Sequence, residues 1–361
     1  MSDMFINDMD MNVNDLFEKS LNLFTLDKLA NYFGLHKGTV ARWVQKKRVP
    51  KNYKLDFLRL LNIKYKDNFS VKEKDQYYTK PNIALECIKT FKSVLSDLKI
   101  NDKDYIFIEP SAGNGSFFKL LPNNKIGIDI DPQMKELIKA DYLEWEPQKV
   151  GKYFVIGNPP FGLRGHLALQ FINHSEKFAD VVAFILPQLF DSDGKGVPKK
   201  RVKGYKLAYS KKIKPNSFIY PNGEEIKIHT IFQVWTKINI ENIKILKRKT
   251  CSQYIKIYSL SDGGAPSNTR NKDMLDKCDV YLPSTTYSNM RAYNSFEELP
   301  HRRGYGIVIY KEKPKIKNLL IKNNWEKTAF YSSNSAINLR TSLIEDVIIK
   351  NGYFDIDSKL F

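Results

Sequence analysis

Asn158, Pro159, Pro160 and Phe161 follow the apolar run Tyr153-Phe154-Val155-Ile156 and Gly157. The run reads as a buried β-strand, which Pro159 must end because proline cannot donate to a sheet ladder. Two consecutive prolines remove two N–H donors and hold the backbone in one extended shape. The strand tip keeps the Asn158 amide, backbone carbonyls without ladder partners and an adjacent ring. Acceptors beside a ring suit an exocyclic amino group held flat, as in a pocket that reads an everted base by its edge and by stacking. Asn-Pro is also a common turn signal, and a turn in which Asn caps a helix is the plainer reading of these four residues alone.

The upstream sequence adds chemistry in order. Tyr105-Ile106-Phe107-Ile108 reads as a strand, followed by Glu109-Pro110-Ser111-Ala112-Gly113-Asn114-Gly115 and a helix carrying Phe117, Phe118, Leu120 and Leu121. Small residues let the loop bend sharply and let a ligand approach the backbone. Phe118 stands where a dinucleotide fingerprint has its third glycine, which argues against NAD. Lys125 to Pro132 gives a second strand ending in acid, with Asp129 where such folds accept from a ribose diol. A third edge strand is expected to end at Ala140-Asp141-Tyr142-Leu143, and the strand before Asn158 is the fourth.

Tyr77-Tyr78-Thr79, Glu109 to Gly115, Ile128-Asp129-Ile130-Asp131-Pro132, Ala140-Asp141-Tyr142 and Asn158-Pro159-Pro160-Phe161 together resemble the motif series of S-adenosylmethionine-dependent DNA adenine-N6 methyltransferases. Their order resembles the gamma arrangement of restriction-modification enzymes, with cofactor motifs first and target recognition last, and the match spans about residues 76–240. The resemblance implies an α/β Rossmann-like fold, a mostly parallel seven-stranded sheet closed by an antiparallel hairpin. It implies S-adenosylmethionine as cofactor and double-stranded DNA as partner, with a cognate restriction endonuclease as a further one. By the same resemblance, Tyr78 and Thr79 would contact the methionine end of the cofactor, and Glu109, Pro110, Ala112 and Gly113 would line its methionine and sulfonium region. Asp129 would bind the ribose, Asp141 would accept from the adenine amino group, and Ile130 or Tyr142 would lie against that ring. Asn158, Pro159, Pro160 and Phe161 would hold the target adenine, with Asn158 also contacting the cofactor and Phe232 a second stacking candidate or a core residue. The same four-residue signature also resembles cytosine-N4, RNA-adenine and protein-glutamine methyltransferases. A DNA-binding regulator with an inactive methyltransferase domain is a further alternative.

The flanking regions give an expected organisation of a DNA-binding domain over 1–70, a catalytic domain over 71–240 and a target-recognition region of α+β type over 241–361. Residues 1–20 read as a loose arm or one short helix from Val13 to Leu21. Thr25 can cap a helix carrying Leu26, Leu29, Ala30 and Phe33, Gly34 ends it, and Lys37-Gly38-Thr39 opens a second helix carrying Val40, Trp43 and Val44, with Val40 and Val44 as its buried aliphatics. The stretch resembles the helix-turn-helix of small phage repressors, in which the second helix enters the major groove. Lys37, Thr39, Arg42 and Lys46 would then face DNA, unless the unit is a packing bundle with a solvated basic face. Residues 64–76 read as a charged linker. Ile83, Ala84, Ile88, Phe91 and Leu95 follow helical spacing after Pro81. Leu167 to Phe178 reads as a helix and Val181 to Leu186 as a strand. Residues 191–214 read as a basic loop whose Lys200 and Arg201 could grip phosphates. Ile226 to His229 and Thr230 to Trp235 are the expected closing hairpin. Beyond residue 241, Ser261-Asp262-Gly263-Gly264 reads as a turn and Leu339 to Lys350 as a helix after Tyr331 to Ser335. Arg270, Arg291, Arg302, Arg303 and Arg340 are candidate phosphate or guanine contacts.

Bulk properties agree with a polyanionic partner. Lys and Arg number 58 against 40 Asp and Glu, a net charge of +18 on 361 residues, and 20 Tyr and 22 Phe are interleaved with them. Biased lysine usage alone could also raise the charge. Cys87, Cys251 and Cys278 are far apart and odd in number, which fits no metal-site spacing and no disulfide framework; a cytoplasmic, reducing setting is the default. No apolar run approaches the ~18 residues of a membrane span.

Overall fold

A computed structural model describes residues 11–63, 77–192, 197–239, 241, 249–263, 269–331 and 336–355. The expected linker over 64–76, part of the basic loop, Gly264 and Ser332 to Ser335 lie outside the described residues. The chain forms two compact units. The first comprises residues 1–191 and 195–243, the second 192–194 and 244–361.

The first unit begins with a small helical bundle: α1 (Val13–Leu23), α2 (Leu26–Tyr32), α3 (Lys37–Lys46) and α4 (Lys54–Leu60). Asn12 and Asp15 form a reciprocal cap on α1, and Thr25 Oγ1 accepts from Lys28 N–H (3.3 Å) at the start of α2. Gly34 takes φ +59° in the α2–α3 turn, a conformation glycine adopts without strain. α3 opens at Lys37-Gly38-Thr39 as expected, and His36 Nδ1 accepts from Gly38 N–H and caps it. Phe33 holds the core, with its ring against Trp43, Tyr53 and Phe57. Val44, expected inside, is 42% exposed; Trp43 takes the buried place on that turn.

After α5 (Pro81–Asp97) come β1 (Tyr105–Glu109), β2 (Lys125–Asp129), β3 (Ile138–Lys139), β4 (Lys152–Gly157), α6 (His166–Ser175), β5 (Ala179–Pro187), β6 (Lys206–Lys212) and β7 (Thr230–Thr236). Among the described residues these strands make one seven-stranded sheet, in the order β3-β2-β1-β4-β5-β7-β6. β3 through β5 are parallel, and β7 runs antiparallel to both β5 and β6. This is the Rossmann-like methyltransferase fold. β4 is buried from Tyr153 to Gly157, as a central parallel strand covered on both faces must be. Phe107 and Phe154 are register partners, so they share a face, and Phe91 of α5 meets both rings edge-on.

Three expectations are corrected here. Phe117 to Leu121 make only a 3-10 turn, Phe118–Leu120, instead of a helix. The hairpin partner of β7 is Lys206–Lys212, which lies inside the expected basic loop. Glu225–Ile226 pairs instead with Phe218–Ile219, which in turn pairs with Tyr78–Thr79 in a three-stranded ribbon.

The second unit contains β8 (Ile255–Asp262), β9 (Thr269–Arg270), β10 (Val280–Pro283) and β11 (Arg303–Ile309), an antiparallel sheet ordered β9-β8-β11-β10. Helices α7 (Lys313–Lys322), α8 (Trp325–Thr328) and α9 (Thr341–Lys350) contribute Ile316, Leu320, Trp325, Ile344 and Ile348 to its core.

Candidate active site

The strand order reverses between β1 and β4, and in open α/β sheets ligands bind at the carboxyl ends of strands at such a point. β1 ends at Glu109 and β4 at Gly157. A Cβ added to Gly157 would sit 3.3 Å from Glu109 Cγ, so the two tips touch. Ser111 Oγ donates to the Asn158 carbonyl (3.0 Å) and ties the small-residue loop to the Asn-Pro-Pro tip. That bond was not read from sequence; a hydroxyl in a loop otherwise built for bending was its only sign.

Asp129 organises the glycine bend. Its Oδ2 accepts from Gly113 N–H (2.7 Å) and its Oδ1 from Asp131 N–H (2.8 Å), and each oxygen keeps a lone pair for a further donor. Gly113 is left-handed at φ +49°, and a Cβ there would lie 2.9 Å from Tyr78 Cε1. The Tyr78 ring therefore flanks the bend. Burial, then Asp129 and Asp131, push its hydroxyl pKa up.

Three buried polar atoms around these strand ends have no hydrogen-bond partner among the described residues: Thr79 Oγ1, Glu109 Oε2 and Asn158 Oδ1. Leaving such atoms unsatisfied costs about 1–3 kcal/mol each, a cost that a bound donor or acceptor would offset. Glu109 is 2% exposed, and burial holds its carboxyl well above the usual range. Backbone N–H groups at Phe118 and Phe117 and the Lys125 charge pull the other way, and the Asp129 charge adds to the rise.

The remaining expected residues fall as follows. Pro110, Ala112 and Pro159 are buried beside these tips, and Pro160 is half-buried. Ile130 is 67% exposed, an apolar side chain without cover, whereas Tyr142 is enclosed and its hydroxyl meets Ser175 Oγ (2.7 Å). Of the two candidates for a ring contact, Ile130 is the open one and Tyr142 the covered one. Asp141 is exposed, and its Oδ1 accepts from Leu143 N–H. Phe161 is mostly covered, its ring 5.6 Å from Tyr77 in an edge arrangement. Phe232 packs inside the central core and offers no free face, so its stacking role is withdrawn.

The expected DNA contacts also sort themselves. Lys46 and Lys200 are exposed. Lys37 pairs with Asp27 (2.6 Å), and Arg42 folds back on its own helix, toward the Gly38 carbonyl and Thr39 Oγ1. Arg201 is not a free phosphate grip: a Cβ on Gly34 would overlap its guanidinium, which is tucked under the α2–α3 turn. Arg302 is taken by Asp262, with Nε 2.6 Å from Oδ2, whereas Arg303 is exposed.

No family model matches the chain, and no curated protein matches it. Solved structures do. A Pyrococcus horikoshii protein provisionally described as an RNA methyltransferase is 21% identical, covering 50% of this chain and 96% of that one, with a TM-score of 0.35. A Listeria monocytogenes protein provisionally described as a class I S-adenosylmethionine-dependent methyltransferase is 13% identical over 67% of this chain and 85% of its own, at TM-score 0.35. The M protein of the type I restriction enzyme EcoKI is 14% identical over 63% and 57%, also at 0.35. Strand order and register, not these likenesses, define the fold.

Proposed function

We propose that the chain transfers a methyl group from S-adenosylmethionine to N6 of an adenine everted from duplex DNA. The observation that carries this reading is the buried Asn158 Oδ1, an acceptor without a partner among the described residues at a proline-locked strand tip.

The residues fit the cofactor. Gly113 leaves its bend open to a close approach, Asp129 keeps acceptor capacity for ribose hydroxyls, and Ile130 presents an uncovered apolar surface. Thr79, Glu109 and Ala112 would hold the methionine end, and Asp141 the adenine amino group. When bound, S-adenosylmethionine supplies an electrophilic methyl on a sulfonium.

The chain's own part is to prepare the nucleophile. The N6 lone pair of adenine is delocalised into the ring. Asn158 Oδ1 and the Pro159 carbonyl accept its two N–H bonds and draw the nitrogen toward a tetrahedral shape. They also stabilise the positive charge that develops there, and because both are fixed beforehand little reorganisation is needed; the proton that the nitrogen sheds once it carries the methyl passes to water. In-line placement of the two reactants supplies much of the remaining rate. Phe161, edge-on to Tyr77, walls the pocket, and the basic bundle with its exposed Lys46 adds contact to the duplex.

The test is incubation of the full chain with methyl-labelled cofactor and mixed-sequence duplex DNA, with RNA and protein offered in parallel, followed by nucleoside and amino-acid analysis. The label is expected on adenine N6. Label on cytosine, RNA or protein alone, or on nothing, contradicts the proposal.

A further inference from the structure

A polar cavity of about 230 Å³ opens at one end of the second unit's sheet, lined among others by Ser259, Ser261, Arg270, Thr285, Arg303 and Arg340. Its position follows from register. Ser261 of β8 is paired with Arg270 of β9 on one side and with Arg303 of β11 on the other. Directly opposed residues of antiparallel strands point to the same face. Arg270 and Arg303 therefore flank the Ser261 hydroxyl in one row, two strand spacings apart, roughly 10 Å. Ser259 lies two residues along the same strand, on the same face. Gly304 keeps β11 close to β10, since a Cβ there would overlap the Leu282 carbonyl.

The charges in this row are not balanced from within. Among the described residues, none that lines the cavity is acidic. Neither Arg270 nor Arg303 has an ion-pair partner among the described residues, and the adjoining Asp262 is engaged by Arg302. Arg340 joins them from the N-terminal end of α9, its guanidinium 5.3 Å above the Phe330 ring. Like charges placed along one row repel unless an anion sits among them. Guanidinium forks with serine and threonine hydroxyls match the oxygens of a tetrahedral oxyanion.

We propose that this cavity grips a backbone phosphate of the nucleic acid, through Arg270 and Arg303 with Ser261 between them. The identity of the oxyanion rests on the nucleic-acid reading above. Such a contact positions the duplex and carries no sequence information itself.

The experiment measures binding of the full chain to two unrelated fluorescent duplexes over a salt series. Wild type is compared with the double variant Arg270→Gln/Arg303→Gln, and melting checks folding. Loss of two phosphate contacts is expected to make the log–log salt slope shallower by roughly 2 and to weaken both duplexes equally. If the double variant melts early, Arg303→Gln alone carries the test, with a slope change of about 1. An unchanged slope and affinity overturns the proposal. So does a loss confined to one duplex with the slope intact, which would mean guanine readout, and so does a wild type that binds no nucleic acid. Adenine methylation with an unchanged slope sinks the cavity contact alone. A shallower slope without adenine methylation in DNA sinks the proposed function alone.

Discussion

Asp56 Oδ1 of the helical bundle stands 3.6 Å from His166 Nε2, the first residue of α6, and both side chains are buried. His166 Nδ1 faces the Leu163 carbonyl at 3.0 Å, so Nδ1 carries the proton and Nε2 is left for Asp56. The helical bundle thus packs directly on the segment that follows Asn-Pro-Pro-Phe. Leu163 joins the bundle's core, and Gln170 Nε2 donates to the Tyr32 carbonyl.

Burial pushes the Asp56 carboxyl above its usual range, against the His166 and Arg59 charges, and pushes the His166 imidazole below its usual value, against Asp56. Arg201 also disfavours the imidazolium. A raised carboxyl keeps its proton longer when folded, so its contribution to stability falls as pH rises above about 3.9. A depressed histidine stays neutral when folded while the unfolded chain protonates, so its contribution rises toward about pH 6.5. In wild type the two slopes oppose each other. Relative to wild type, Asp56→Asn should make the slope of stability against pH more positive above about pH 3.9, and His166→Gln should make it more negative below about pH 6.5, each by at most about 1.4 kcal/mol per pH unit. Urea melts across the window read both slopes, and equal signs would refute this account of the pair.

Glu109 supplies a second pH signature. Its raised carboxyl means that the ligand-free protein loses stability as pH climbs above about 4.3. Glu109→Gln removes that loss, so the variant should be the more stable protein at pH 8 without cofactor. A cation bound beside Glu109 should expel its proton. Calorimetry of cofactor binding in two buffers of different ionisation enthalpy should show proton release in wild type and none in the variant.

The glycine bend leaves little room for substitution. Gly113→Ala places a Cβ in a left-handed conformation and against Tyr78. A loss of about 1–2 kcal/mol in stability is expected, together with weaker cofactor binding. Equilibrium dialysis with labelled cofactor measures the second effect, and wild-type affinity would show that the bend is not used.

Ile130 and Tyr142 were equal candidates for a ring contact, and burial separates them. Tyr142→Phe loses only the bond to Ser175, so melting should register about 1 kcal/mol with cofactor affinity unchanged. Ile130→Ala should lower affinity several-fold with stability intact. The reverse pattern would restore Tyr142.

The parts of this molecule that were legible in sequence are those set by local rules. The proline stop after β4, the small-residue loop after β1, the Thr25 cap and the apolar run of β5 each depend on a few neighbouring residues. The missed features depend on partners far along the chain. Lys206–Lys212 has basic residues at its exposed edge and looks like a loop until β7 pairs with it. His166 lies among apolar residues and gives no sign of a carboxylate 110 positions earlier. Arg201 reads as a surface cation, but its place under Gly34 is decided by how the bundle docks. Phe232 and Tyr142 have the residue type for stacking, and only the packed core shows that their faces are taken.

The central claim is that Asn158 Oδ1 acts on the target amino group and not on the cofactor. Single-turnover methylation of duplex DNA by wild type and Asn158→Ala, at cofactor concentrations saturating for both, tests it directly. The account predicts adenine N6 methylation by wild type, a rate about 10²–10³ lower in the variant, and cofactor binding that survives. A variant that methylates at the wild-type rate would contradict it.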